Sequence, residues 1–344
     1  ERAHDRVLAR APRGMIETGR LSAFAAVCAA LAVASCGASD TTSETGGGGS
    51  SDVGQFAVVA GPAELEDYFD CLSDERVTLI SAHRGGPGPG YPENAIETFA
   101  HTLERAPALL EVDVRRTSDN VLVLLHDSQL ARVSSCRGEI EHMQLANLRD
   151  CHLKDPEGGG TGFTIPTLAE ALVWSEGRTV LELDIKDTVR YEDVVDAVRA
   201  ANAEERVILI STSAGSAARL ASLAPEMVIS ASIESEADLD ELIDRGVAVG
   251  QIVAWTGTRE VNPALNDALE ARGVTVKFGT LGDPQYSIDG EIERSGDDGR
   301  YADIAADGVD AIGTDRPWAA FNALAEAAGE ERVEMALESC RTSS

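Results

Sequence analysis

Basic residues are scarce in this chain: 29 Lys and Arg stand against 59 Asp and Glu over 344 residues, a formal net charge of −30. A surface so short of cations cannot neutralise the phosphates of a nucleic acid and is repelled by anionic bilayers, so no nucleic-acid partner is expected. An anionic substrate would have to be drawn in locally, by a bound cation or by a few well-placed basic groups. Also missing is a helical run able to span a bilayer, since the uncharged stretch Leu21–Ser35 falls short of the roughly 20 residues required. Nor does the chain have the composition of a disordered protein. Hydrophobic residues at 43% and charged residues at 26% are ordinary for a globular protein with a sizeable core. A single α/β barrel of about 250 residues fits this length once a non-globular N-terminus is set aside.

That N-terminus reads as an address. Leu21–Ser35 is small and apolar, is preceded by Arg13 and Arg20, and has the character of a signal-peptide core. It closes on Val33-Ala34-Ser35-Cys36, which is similar to the lipobox after which bacterial lipoproteins are cleaved and lipidated on the new terminal cysteine. Residues 1–36 are expected to be the signal peptide, with 1–14, upstream of Met15, read as over-called upstream sequence. Residues 37–60, rich in Gly, Ser and Thr, form a flexible linker, and 61–340 form the globular domain. A lipid on Cys36 would hold that domain to a membrane outside the cytoplasm, in the periplasm or at the cell surface. In such an oxidising compartment Cys71, Cys136, Cys151 and Cys340 remain for disulfides. Cys136–Cys151 would staple one long loop and Cys71–Cys340 would join the ends of a closed barrel; free buried thiols are the alternative.

Apolar, β-branched runs alternate with amphipathic helical segments along the domain. The runs are Val77–Ala82, Leu109–Val114, Val121–Leu125, Thr179–Ile185, Val207–Ser211, Met227–Ile233, Gly250–Trp255, Val274–Phe278 and Val309–Thr314. Helices are expected at Ile96–Arg105, Leu168–Trp174, Tyr191–Ala201, Ala237–Asp244 and Pro263–Ala271. This βα repetition predicts a distorted (β/α)8 barrel, a TIM barrel. Only Arg116–Asn120 separates the second and third runs, too few residues for a parallel crossover, so those two should form an antiparallel hairpin. The turn-rich segment 128–164 is too long for a barrel loop and reads as an insertion over the mouth, either a cap that shapes the pocket or a functionless excursion.

Polar groups gather where strands end. The first run leads into His83-Arg84-Gly85-Gly86 and then Pro92-Glu93-Asn94; the second holds Glu111-Val112-Asp113; the third ends in His126-Asp127; the fourth reads Glu182-Leu183-Asp184-Ile185-Lys186. Residues two apart on a strand share a face, so Glu111 and Asp113, and Glu182, Asp184 and Lys186, should point into the barrel. Carboxylates crowded on one axis need a cation between them, and an all-oxygen set suits Ca²⁺ or Mg²⁺ rather than zinc. Folding the hairpin about Ser118–Asp119 sets His126 opposite Glu111, while His83 arrives from the neighbouring strand. The two histidines then supply an acid and a base near neutral pH, with Arg84 and Lys186 as the local phosphate-binding cations. Glu182 is either a spare ligand or a supporting partner. Glu93 and Asn94 serve the loop or touch substrate, and Lys277 is a solvated rim lysine or a further phosphate contact. Asp127 orients His126 or caps the following turn.

In this order and spacing, HRGG, PEN, ExD, HD and DIK resemble the signature set of the glycerophosphodiester phosphodiesterases, and Gly313-Thr314-Asp315-Arg316-Pro317 is similar to that family's closing motif. The resemblance covers about Val77 to Pro317. It implies catalytic histidines at His83 and His126 and metal carboxylates at Glu111, Asp113 and, in place of a frequent Glu, Asp184. The implied reaction is metal-dependent hydrolysis of a glycerophosphodiester to glycerol 3-phosphate and an alcohol, through a cyclic phosphate formed by the adjacent glycerol hydroxyl. The chain departs from the family where many members carry Trp-Thr-Val-Asn: here the strand reads Val276-Lys277-Phe278-Gly279-Thr280, and Trp255-Thr256 occurs one strand earlier. Two rivals stand beside this activity: a lysophospholipase D-type or other head-group phosphodiesterase on the same scaffold, and a silent binding lipoprotein. For the anchor, Cys36→Ser is expected to release the protein from the membrane fraction; unchanged partitioning would contradict lipidation.

Overall fold

The β-branched runs become strands because both faces of each are covered, one by helices and the other by the barrel interior. A computed structural model of the chain describes residues 62–342; the expected signal peptide, Cys36 and the linker lie outside the described residues. The strands are β1 Leu79–Ala82, β2 Ala108–Arg116, β3 Leu122–Leu124, β4 His152–Lys154, β5 Gly160–Thr164, β6 Leu181–Ile185, β7 Val207–Ser211, β8 Val228–Ser232, β9 Ile252–Trp255, β10 Thr275–Gly279 and β11 Ala311–Thr314. Parallel pairing runs β1, β2, β6, β7, β8, β9, β10, β11 and returns to β1, an eight-stranded TIM barrel. The expected helices lie within one or two residues of the observed Ile96–Leu103, Leu168–Ser175, Tyr191–Ala200, Glu236–Asp244 and Pro263–Glu270.

Inward and outward faces alternate as the pleat requires. Leu110, Val112, Leu183, Leu209 and Ile312 pack outward against the helices. Leu109, Val180, Ile208, Val253 and Ala311 point in at the bottom, where helix Pro62–Asp74 closes the barrel with Leu65, Tyr68, Phe69 and Leu72. Their spacing of three, four and seven is the stripe of an amphipathic helix. The Cys71–Cys340 bond ties this helix to the last one, Glu330–Thr342, across a sequence separation of 269 residues. Polar groups are left for the upper, C-terminal end, where barrels of this kind build their sites.

β3 forms the expected antiparallel hairpin with β2, but one residue out of the anticipated register. Arg116 faces Leu122 and Val114 faces Leu124, so the centre is Asp119 and continued pairing would set His126 against Val112, not Glu111. The turn explains the slip: Thr117 N donates to Val121 O at 2.9 Å and Asn120 takes a left-handed φ of 64°, which accommodates one more residue. The ladder stops before His126, which occupies a bend, and Arg115 Nε holds its carbonyl at 2.7 Å.

The inserted segment carries a small core of its own. Leu130, Val133, Ile140, Leu148 and Leu153 pack with Val123 and Leu125 of the hairpin arm and with Ala95. Cys136 and Cys151 are bonded across it, as expected, and β4 and β5 pair antiparallel at its end. Asp155 accepts a 2.9 Å hydrogen bond from Gly90 N in the loop after β1, so the insertion rests on the barrel mouth.

Candidate active site

β2 and β6 lie in parallel register, with Glu111 beside Glu182 and Asp113 beside Asp184. Oxygens of Glu111, Asp113 and Asp184 come within 4.8 Å of one another, the one acidic cluster of metal-binding geometry among the described residues. Burial raises the Glu111 pKa, and the charge of Asp113 raises it further. Asp113 is also opposed by burial, but Lys186 and the Asn94 amide outweigh this and hold it below the usual carboxylate range. Lys186 Nζ sits 2.6 Å from Asp113 and 2.5 Å from Asp184, a positive charge placed where a metal ion would serve. An oxygen-only ligand set that already gathers an ammonium fits a hard divalent cation.

The supports come from the loop after β1. Arg84, at a left-handed φ of 50°, turns its backbone N–H to Glu111 Oε2 at 2.8 Å. Asn94, buried and also left-handed at φ 58°, donates to Asp113 Oδ2 at 2.7 Å and accepts from Asp113 N at 2.9 Å. It therefore positions a carboxylate. The Arg84 guanidinium donates to Glu93 at 3.0 Å, while its Nε, 3.8 Å from Asp113 Oδ2, is buried without a hydrogen-bond partner and can still donate to an anion.

Each candidate histidine is held through Nδ1 by a carboxylate: His83 by Asp315 at 2.6 Å and His126 by Asp127 at 2.7 Å. A carboxylate accepts, so Nδ1 carries the proton and Nε2 is the nitrogen free to exchange one. Burial disfavours the charged form of His83, but the Asp315 hydrogen bond and the charge of Glu111 prevail and raise its pKa. Asp315, opposed by burial but bonded to His83, is held below the ordinary range. Buried Asp289 anchors it, accepting from Asp315 N at 2.7 Å, Thr314 Oγ1 at 2.9 Å and the Tyr301 hydroxyl at 2.6 Å. Asp315 and Asp289 were absent from the sequence-derived site; the Thr314-Asp315 motif at a strand end was the available signal for the first.

One lumen residue, Lys277, differs from expectation, and for Glu182 one of the two expected alternatives drops out. Lys277 is 3% exposed, not on the rim, and its Nζ lies 2.5 Å from Glu182, itself fully buried; both also hydrogen-bond Ser81. The pair lies outside the carboxylate cluster, so Glu182 is not one of its ligand donors. A buried charge needs such a partner, and this pair occupies the interior with no free cation left for a phosphate. Across the mouth, the Trp255 indole covers Gly279 and Gly313: a Cβ on Gly279 would fall 2.4 Å from its Cη2. The tryptophan of the earlier strand thus fills the space above the departing segment of β10.

The profile of the Glycerophosphoryl diester phosphodiesterase family matches residues 83–318, and the chain belongs to that family. A crystal structure of a glycerophosphoryl diester phosphodiesterase from Parabacteroides distasonis ATCC 8503 shares 33% identity and a TM-score of 0.70, over 79% of this chain and 94% of that one. A phosphodiesterase of Oleispira antarctica, solved in complex with the product sn-glycerol-3-phosphate, shares the fold at 19% identity and TM-score 0.54, over 76% and 96%. The glycerophosphodiester phosphodiesterase of Bacillus altitudinis is 31% identical over 159 residues, 44% of this chain and 64% of its own length. The chain spans less than two thirds of the curated relatives it matches in sequence.

Because burial and then the charge of Asp113 raise the Glu111 pKa to about 8, loading a divalent cation is expected to release a proton. Affinity for Ca²⁺ or Mg²⁺ is therefore expected to rise from mildly acidic to mildly alkaline pH, with proton release seen as a buffer-dependent heat in calorimetry. Affinity independent of pH and of buffer would contradict this.

Proposed function

We propose that this chain hydrolyses glycerophosphodiesters to glycerol 3-phosphate and an alcohol, with His83 and His126 as acid and base and Glu111, Asp113 and Asp184 as the ligands of a Ca²⁺ or Mg²⁺ ion. The observation that carries the reading is the meeting of that carboxylate cluster with two histidines, each presenting Nε2 after its Nδ1 is taken by a carboxylate. Binding alone has no use for a pair of oriented proton-transfer groups, which disfavours the silent binding protein. The family match and the product-bound relative support the substrate class.

In the first step the glycerol hydroxyl next to the diester attacks phosphorus and gives its proton to Nε2 of one histidine. The bond from phosphorus to the leaving alcohol breaks, and the other histidine protonates that oxygen. Water then opens the cyclic phosphate with the two roles exchanged. The unpartnered Nε of Arg84 and the ammonium of Lys186 bind the phosphate oxygens as they gain charge. When bound, a divalent cation supplies Lewis-acid charge to those oxygens and keeps the carboxylates ionised. Asn94 and Glu93 hold the ligand and arginine in place and need not touch substrate. We further infer that the domain works outside the cytoplasm on a lipid anchor at Cys36, a reading supported by the lipobox-like sequence and by two disulfides. No helix among the described residues is long and apolar enough to cross a membrane.

The purified protein is expected to release glycerol 3-phosphate from glycerophosphocholine only with Ca²⁺ or Mg²⁺, and EDTA should abolish release. His83→Ala and His126→Ala should each lower turnover by roughly a hundredfold or more, the usual contribution of a general acid or base. Release from lysophosphatidylcholine but not from glycerophosphocholine would favour the lysophospholipase D-type reading; no release from either by folded, metal-loaded protein would favour a binding protein.

A further inference from the structure

Arg132, a side chain of the insertion that no step above uses, is joined to the active site by hydrogen bonds on two sides. Its Nε donates to Asp127 Oδ2 at 2.5 Å and its Nη2 to Asp127 Oδ1 at 3.0 Å. On its other side it donates to both oxygens of Glu93, each at 2.8 Å. Asp127 holds His126 Nδ1, and Glu93 holds the Arg84 guanidinium. A continuous chain therefore runs His126, Asp127, Arg132, Glu93, Arg84, joining loops that follow β1 and β3.

An exposed ion pair is ordinarily worth little, and Arg132 is 49% exposed. Its partners are not: Glu93 is 12% and Asp127 26% exposed, and the contacts to Glu93 form a planar, two-point fork that fixes orientation as well as charge. The arginine's backbone is equally constrained. Leu130 and Val133 are buried in the insertion core, Lys154 N donates to Val133 O at 2.9 Å, and Lys154 Nζ donates to Ala131 O at 2.9 Å. The Cys136–Cys151 bond closes the loop just beyond. By contrast, Arg149 pairs with Glu170 on the outer side, with both partners above 40% exposed and no link to either histidine.

We propose that Arg132 is a positioning residue for the reaction, through which the insertion orients the His126 ring by way of Asp127 and Arg84 by way of Glu93; a separate contact, Glu141 to Arg115, reaches only the His126 carbonyl. This rests on the phosphodiesterase reading above. Loss of Arg132 frees Asp127 to rotate away from His126, which acts on turnover. It also leaves Glu93 with one arginine to satisfy instead of two, so Arg84 is drawn from the phosphate position, which acts on substrate binding.

Arg132→Ala is expected to lower kcat and raise KM together, with kcat/KM down roughly tenfold to a hundredfold, the range for partners one shell removed from the chemistry. Asp127→Asn should lower kcat alone, and adding it to Arg132→Ala should cost little more. Arg132→Lys should recover part of the KM effect, and Arg149→Ala should match the wild type. Thermal unfolding and divalent-metal affinity should be unchanged in Arg132→Ala, because the ligand carboxylates are not its partners. Activity like that of Arg149→Ala, or a loss that follows metal affinity and stability down together, would overturn the proposal. A second readout does not require turnover: ¹⁵N spectra should show His126 as a single Nδ1-protonated tautomer in the wild type and as a tautomer mixture in Arg132→Ala. A single tautomer retained in the variant would overturn the proposal, even if the wild type proved inactive on every glycerophosphodiester and the functional reading itself had failed.

Discussion

Mutual repulsion among Glu111, Asp113 and Asp184 is the constraint on which the upper half of this barrel depends. Oxygens this close, buried at a strand end, repel each other strongly in a medium that screens charge poorly. The fold answers with positive charge and with hydrogen-bond donors aimed at the carboxylates: the Lys186 ammonium, the Arg84 backbone N–H and the Asn94 amide. Two of these donors sit on residues with left-handed φ, a conformation of some cost that the loop after β1 adopts in order to point them. The same local positive charge would let an acidic protein receive the anionic substrate proposed for it.

Below that level the interior separates by polarity. Lys277 and Glu182 neutralise each other, and under them an apolar floor is closed by helix Pro62–Asp74 and stapled at Cys71–Cys340. A buried ion pair adds little net stability, yet removing one member leaves the other unpaired, so the two are retained together. At the mouth the loop after β1 and the insertion meet, joined by the hydrogen bond from Gly90 to Asp155.

The repeating core was legible because strand and helix periodicities are local. Alternation on Glu111-Val112-Asp113 and Glu182-Leu183-Asp184 was enough to place the carboxylates on the axis, and the short link after Arg116 was enough to call for a hairpin. What escaped depends on contacts between distant segments. His83 and Asp315 are 232 residues apart, and Lys277 looked like a rim lysine because its partner Glu182 lies 95 residues away. The hairpin register turned on one left-handed residue, Asn120, whose φ no pattern of hydrophobicity records. Helix Pro62–Asp74 was not among the helices expected from the sequence, and the role of Leu65, Tyr68, Phe69 and Leu72 as a floor follows only once the barrel is closed.

Anomalous diffraction from crystals equilibrated with Mn²⁺, a scatterer that accepts the same oxygen ligands, addresses the central claim most directly. One peak should lie among Glu111, Asp113 and Asp184, roughly 2.0–2.6 Å from an oxygen of each, with Lys186 Nζ displaced from between Asp113 and Asp184. Density lacking such a peak at saturating ion, with Lys186 still bridging the two aspartates, would contradict the account.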